Sequence, residues 1–270
     1  MFAYTVAEGH TASGALDVSS IAANGGNIED AADNDFSTTM TGGDLGSVTV
    51  DGDAPDLASV AATDDTYGIG ENFAITITWD EAVVVTGTVT ITLSNGATAS
   101  YTSGSTTTAL IFTYTVAEGD TDSTDLSVSS YSGTIADSAG GAAAAASGDL
   151  GTVVIDGDTP DITGCTASDD TYGIGESFGI TCTFDSSVDV TGTPQITLSN
   201  SDVVNYASGT GSADIVFTYT VGEGDTDSTD LSVSSIAANS GTIQDAADND
   251  FSTTMTGGDL GTVVVDGDTP

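Results

Sequence analysis

The chain runs to 270 residues with 41 acids, no Lys or Arg and one His, a formal net charge of −41. Nothing in it can neutralise phosphate, which excludes nucleic acid and anionic membrane as partners and makes a cation the natural one. The same composition removes the ordinary catalytic triad, the Schiff-base lysine and the phosphate clamp, so the expectation is a protein that is not an enzyme.

The first element in chain order is Phe2-Ala3-Tyr4-Thr5-Val6. It matches Phe112 to Val116 and Phe217 to Val221, which lie halfway through longer segments. The start therefore reads as the C-terminal half of a repeat, residues 1–54, closing on the hinge phrase Asp51-Gly52-Asp53-Ala54-Pro55. A complete copy is expected over 55–159 and another over 160–270, since Tyr67-Gly68-Ile69-Gly70-Glu71 recurs 105 residues later as Tyr172 to Glu176. These copies close on Asp156-Gly157-Asp158-Thr159-Pro160 and Asp266-Gly267-Asp268-Thr269-Pro270.

Within 55–159, Phe73, Ile75, Ile77 and Trp79 alternate with Ala74, Thr76, Thr78 and Asp80, the period of a strand with one buried face. Val89, Ile91 and Leu93, then Phe112, Tyr114 and Val116, repeat the pattern. Strands are expected at about 57–63, 71–80, 82–93, 97–102, 108–117, 126–131 and 152–156, separated by Gly, Asp, Ser and Asn. The alanine run Ala142 to Ala146 is flanked by Gly and reads as a loop. The fold class is all-β, and seven short strands suit tandem immunoglobulin-like β-sandwich units in an extended rod.

In the next copy Cys165 and Cys182 stand where Val60 and Ile77 stood, on inward positions of neighbouring strands. A disulfide is expected, contributing about 3 kcal/mol by loop closure and fitting an oxidising, extracellular setting. Two buried free thiols are the alternative.

Taken in order, Asp-Asp-Thr-Tyr-Gly-Ile-Gly-Glu, Thr-Gly-Thr-x-x-Ile-Thr-Leu-Ser-Asn, Phe-Thr-Tyr-Thr-Val-x-Glu-Gly-Asp, Gly-Thr-Ile-x-Asp-Ala-Ala and Asp-Gly-Asp-x-Pro resemble the tandem immunoglobulin-like, cadherin-like repeats of large bacterial surface adhesins and extracellular matrix proteins. The resemblance covers essentially the whole chain. It implies a secreted, calcium-rigidified rod that holds cells to surfaces or to each other. No basic residue, ligand-binding tip domain or secretion signal accompanies it.

Of the acids, seven are Glu and 34 Asp, and many of the Asp crowd into the loops. In a sandwich of this type the first loop, the loop between the fifth and sixth strands, and the exit share one pole. There the candidate ligands are Asp64, Asp65 and Glu71, then Glu118, Asp120 and Asp122, then Asp156, Asp158 and Asp161. Asp245 and Asp248 approach from the opposite pole of the next copy. Corresponding positions are Asp51, Asp53 and Asp56 at the first hinge, and Asp169, Asp170, Glu176, Glu223, Asp225, Asp227, Asp266 and Asp268 in the last copy. Carboxylates packed this closely repel unless ions sit between them, and Ca²⁺ takes six to eight oxygen ligands. Isolated acids such as Asp80, Asp189 and Asp202 read instead as turn formers. The half copy carries His10, Ala12 and Ala15 where the next has Asp120, Asp122 and Asp125, so the first junction is expected to be weaker or differently built.

The functional expectation is a calcium-binding extracellular stalk or fibre whose partners are calcium and neighbouring repeats or copies of the same chain. A filament or surface-layer protomer completed by strand exchange is the first alternative. A module binding carbohydrate or another surface is the second.

Overall fold

The computed structural model describes residues 1–269; Pro270, the end of the third hinge phrase, lies outside the described residues. The described chain is all-β, with several sheets around two separate buried cores. Around the first run β1 (Leu57–Ala61), β2 (Thr66–Tyr67), β3 (Asn72–Leu93), β4 (Thr98–Ser103), β5 (Thr107–Thr115), β6 (Ser127–Ala136), β7 (Gly148–Asp149) and β8 (Val154–Ile155). Around the second run β9 (Ile162–Thr166), β10 (Thr171–Gly173), β11 (Ser177–Thr191), β12 (Gln195–Leu198), β13 (Val203–Ser208), β14 (Ser212–Thr220), β15 (Val233–Ala237), β16 (Thr242–Gln244) and β17 (Val264–Asp266).

Alternation builds β3. Phe73, Ile75, Ile77 and Trp79 are buried, while Ala74 and Asp80 face solvent. Two strands were expected here, and the chain forms one of 22 residues. Its first part pairs with β1 and β5, Ile77 lying opposite both Val60 and Leu110. Its last part pairs with β6 and β4, Ile91 lying opposite Tyr131 and Ala99. The register slips between Thr78 and Val83 and again between Thr86 and Thr90. Such irregularities bend a strand, and here they let one strand serve both sides of the core. Because β4 also pairs with β5, Tyr101 opposite Phe112, the sheet rolls over the core on that side.

Around the second core the long strand is interrupted. β11 ends at Thr191 and β12 starts at Gln195, with Pro194 at the position Val89 holds in the first. Proline brings no N–H to a ladder, so pairing stops at it. β9 and β11 set Cys165 directly opposite Cys182, and the two form a disulfide. Their counterparts Val60 and Ile77 are likewise opposite each other.

Other boundaries also differ from expectation. β6 runs on to Ala136, and the last expected strand is reduced to Val154–Ile155, paired in parallel with β2. Ala142 to Ala146 lies outside every strand, and its Ala143 and Ala146 are buried. Residues 1–54 hold only isolated bridges, Ser13 to Val50, Asp17 to Asp44 and Glu29 to Asp35. Phe2, Tyr4 and Val6 there are 88%, 61% and 42% exposed.

Candidate metal centre

Most of the expected ligands spend an oxygen on their own turns. Asp64 accepts from the Thr152 N–H at 2.9 Å, and Asp169 does the same for Thr262 at 2.9 Å. Asp65 and Asp170 each cap the next residue's N–H, at 2.9 and 2.8 Å. Glu71 accepts from Gly68 and Glu176 from Gly173. Asp120 receives the Tyr114 hydroxyl at 2.6 Å and the Ala117 N–H at 2.8 Å; Asp225 receives Tyr219 and Gly222. Burial, then the hydrogen bond to Asp120, pushes the Tyr114 phenol up to about 12. Asp227 and Asp266 accept from Gly267 and Asp268. These bonds are what short polar side chains supply in turns.

A subset converges further. Asp122, Asp156 and Asp158 at the exit from the first core meet Asp185 and Asp245 of the second around a cleft of about 250 Å³, with Thr159 and Ser186 completing its wall. Asp122 gives one oxygen to the Gly157 N–H at 2.8 Å and Asp156 one to Asp158 at 3.4 Å, leaving Oδ2 of each for another partner. Asp245 is buried, its Oδ1 accepting from Ala247 and Asn249. The Asp156 carboxyl is raised from its ordinary value, by burial first and then by the charges of Asp245, Asp122 and Asp158. Asp161 reaches this region through its main chain, donating to Asp185 at 2.9 Å. Glu118, Glu223 and Asp248 are exposed and stand outside the cleft.

At the other end of the first core, Asp51, Glu81 and Asp137 each place one carboxylate oxygen within 4.8 Å of the others. Glu81 is raised by burial and then by Asp137, Asp51, Asp80 and Asp53. Asp56 donates its N–H to Asp80 at 2.9 Å, the pairing repeated by Asp161 and Asp185. Asp53 and Asp56, of the same hinge, are both exposed.

Glu81 and Asp137 were absent from the sequence-derived set, as was Asp185. Glu81 falls between the strands expected at 71–80 and 82–93, whereas the chain forms one strand there and Glu81 lies within its register slip between Thr78 and Val83. Asp137 carried a signal, because Gly133-Thr134-Ile135-Ala136-Asp137 recurs as Gly241 to Asp245. Both clusters offer oxygen ligands alone, the donor set of a hard divalent ion such as Ca²⁺ and not of Zn²⁺ or copper. Neither a known protein-family model nor a curated protein matches this chain.

Proposed function

We propose that this chain is a non-enzymatic, calcium-rigidified stalk or fibre of the cell surface or extracellular matrix, built from tandem immunoglobulin-like β-sandwich units. The observation that carries this reading is the cleft where Asp122, Asp156 and Asp158 meet Asp185 and Asp245. Five carboxylates face one another there, in a chain with no Lys or Arg to offset them. A divalent ion between them turns repulsion into a bond between the two cores. The Cys165–Cys182 disulfide supports an oxidising compartment. Thermal unfolding with and without excess EGTA, followed in parallel by small-angle scattering, tests it. Chelation is expected to lower the melting temperature and increase flexibility between the cores; no change in either at physiological salt overturns it.

A second reading, self-assembly between copies, is favoured by Phe2, Tyr4 and Val6. They are exposed, whereas their counterparts Phe112, Tyr114 and Val116 are buried. An open strand sequence of this kind can pair with another chain. Sedimentation across a concentration series separates the two, since only this reading expects the mass to rise.

A further inference from the structure

The two acidic sites occupy corresponding positions and are completed in different ways. At the second, the side chain of Asn249 holds the parts together. Its Nδ2 donates to Asp245 Oδ2 at 3.0 Å and to the main-chain oxygens of Asp156 and Asp158, each at 3.2 Å. Its Oδ1 accepts from the N–H of Ile69, in the loop beneath the first core. A single amide therefore ties Asp245 to two main-chain oxygens and one N–H across the boundary.

At the first site the correspondence runs Asp51 for Asp156, Asp53 for Asp158, Asp137 for Asp245, Glu81 for Ser186 and Gly141 for Asn249. The amide is gone. Asp137 Oδ1 accepts from Ala139, Gly140 and Gly141 at 2.7, 2.6 and 2.9 Å. Asp137 Oδ2 has no hydrogen-bond partner among the described residues, on a side chain only 5% exposed. A Cβ added to Gly141 would meet Asp137 Oδ2 and the main-chain oxygen of Asp53, counterparts of two acceptors that Asn249 serves. The acceptors have been kept, the donor has been deleted, and a further carboxylate, Glu81, has been added.

A buried carboxylate oxygen without a partner is strongly unfavourable, and two neighbouring acids make it more so. No Lys or Arg is there to answer it, and no neutral donor among the described residues does. The only imidazole, His10, is engaged through Nδ1 with the Tyr4 hydroxyl and the Ala7 N–H. We propose that Asp51, Glu81 and Asp137, with the main-chain oxygen of Asp53, bind a divalent cation of calcium type in the place that the Asn249 amide fills at the second site. This deepens the proposed function and rests on it for calcium as the ion. Its consequence is an unequal pair, with one boundary dependent on the ion for its central contact and the other carrying a protein strut of its own.

Trp79, the only tryptophan, lies two residues from Glu81 and makes a local antenna. The experiment uses the full chain with Tb³⁺ as probe, excited through tryptophan, alongside calcium titration by calorimetry. Glu81→Gln removes one ligand charge, and Gly141→Ala sets a methyl group against Asp137 Oδ2 and the main-chain oxygen of Asp53, where the ion would bind. Both are expected to abolish the tryptophan-sensitised Tb³⁺ emission and remove one class of calcium site, while leaving the remaining calcium heat in place. Glu81→Gln is also expected to melt higher than the parent chain in EGTA, because it removes a charge that repels Asp51 and Asp137, a gain that a merely misfolded variant would not give. Sensitised emission and calcium stoichiometry unchanged in both variants overturn this inference and leave the stalk reading standing. A parent chain that takes up no calcium at all overturns both.

Discussion

Phe2-Ala3-Tyr4-Thr5-Val6 and Phe112-Thr113-Tyr114-Thr115-Val116 carry the same three apolar residues at the same spacing, yet only the second belongs to a strand-built core. Phe112 lies opposite Ile75 and Tyr101, and Tyr114 opposite Phe73. Residues 2–6 have no such partners and are exposed. The difference teaches that alternation specifies which face would be buried, not whether it will be. Ordering a residue costs about 1–2 kcal/mol in backbone entropy, and full burial of a large apolar side chain returns about 1.5–3 kcal/mol. A five-residue segment with three apolar side chains closes that balance only when neighbouring strands cover it.

The sharpest way to break this comparison is to supply the missing neighbours. Replacing Met1 by a copy of residues 55–111 is expected to turn residues 2–6 into a strand, with slow amide exchange and a new unfolding transition. Rapid exchange across 2–6 in that fusion would mean that the segment differs from Phe112–Val116 in something other than its partners.

Phe112→Ala is expected to cost the first core about 3–5 kcal/mol, because it leaves a cavity among residues that are fully buried. Phe2→Ala is expected to change denaturant stability by less than about 0.5 kcal/mol. Similar losses from both would erase the distinction drawn between the copies.

The Cys165–Cys182 bond gives a smaller effect, confined to the second core. Reduction is expected to cost that core about 3 kcal/mol while the first, with Val60 and Ile77 in those positions, melts unchanged. Two calorimetric transitions, only one of them sensitive to reductant, is the outcome to look for.

The smallest effect is a titration. Tyr114 is raised to about 12 by burial and by its bond to Asp120, so the fold favours its neutral form. Its contribution is complete below the unfolded value near 10 and is lost as pH rises toward about 12. Tyrosinate absorbance should show an ionisation step near 12 that Tyr114→Phe removes. An unaltered step in that variant would show that the buried phenol is not its source.

Much of the architecture is legible in the sequence. The alternations around Ile75, Ile91 and Phe112 name the buried faces, and Cys165 and Cys182 fall where Val60 and Ile77 face each other. The hinge aspartates were recognisable because the phrase Asp-Gly-Asp recurs, and Asp156 and Asp158 do meet Asp245 around one cleft. The lone acids read as turn formers do more than that: Asp80 accepts from the Asp56 N–H, 24 residues away, and Asp202 from Asn200 beside it and from the Tyr219 hydroxyl, 17 residues away.

Other features depended on distances between segments far apart in the chain. Nothing local to residues 72–93 says that they form one strand, since the bend is made by slips in pairing with β5 and β6. Glu81 lies within the first of those slips and meets Asp51 and Asp137, 30 and 56 residues away in the chain. Composition and periodicity, which act along the chain, were sufficient to determine an all-β protein with alternating buried faces. Which carboxylates meet, and which of them is left without a donor, was decided by tertiary structure. Hydrogen bonding and charge repulsion act through space, and the absence of a side chain at Gly141 is felt only where Asp53 and Asp137 have been folded against it.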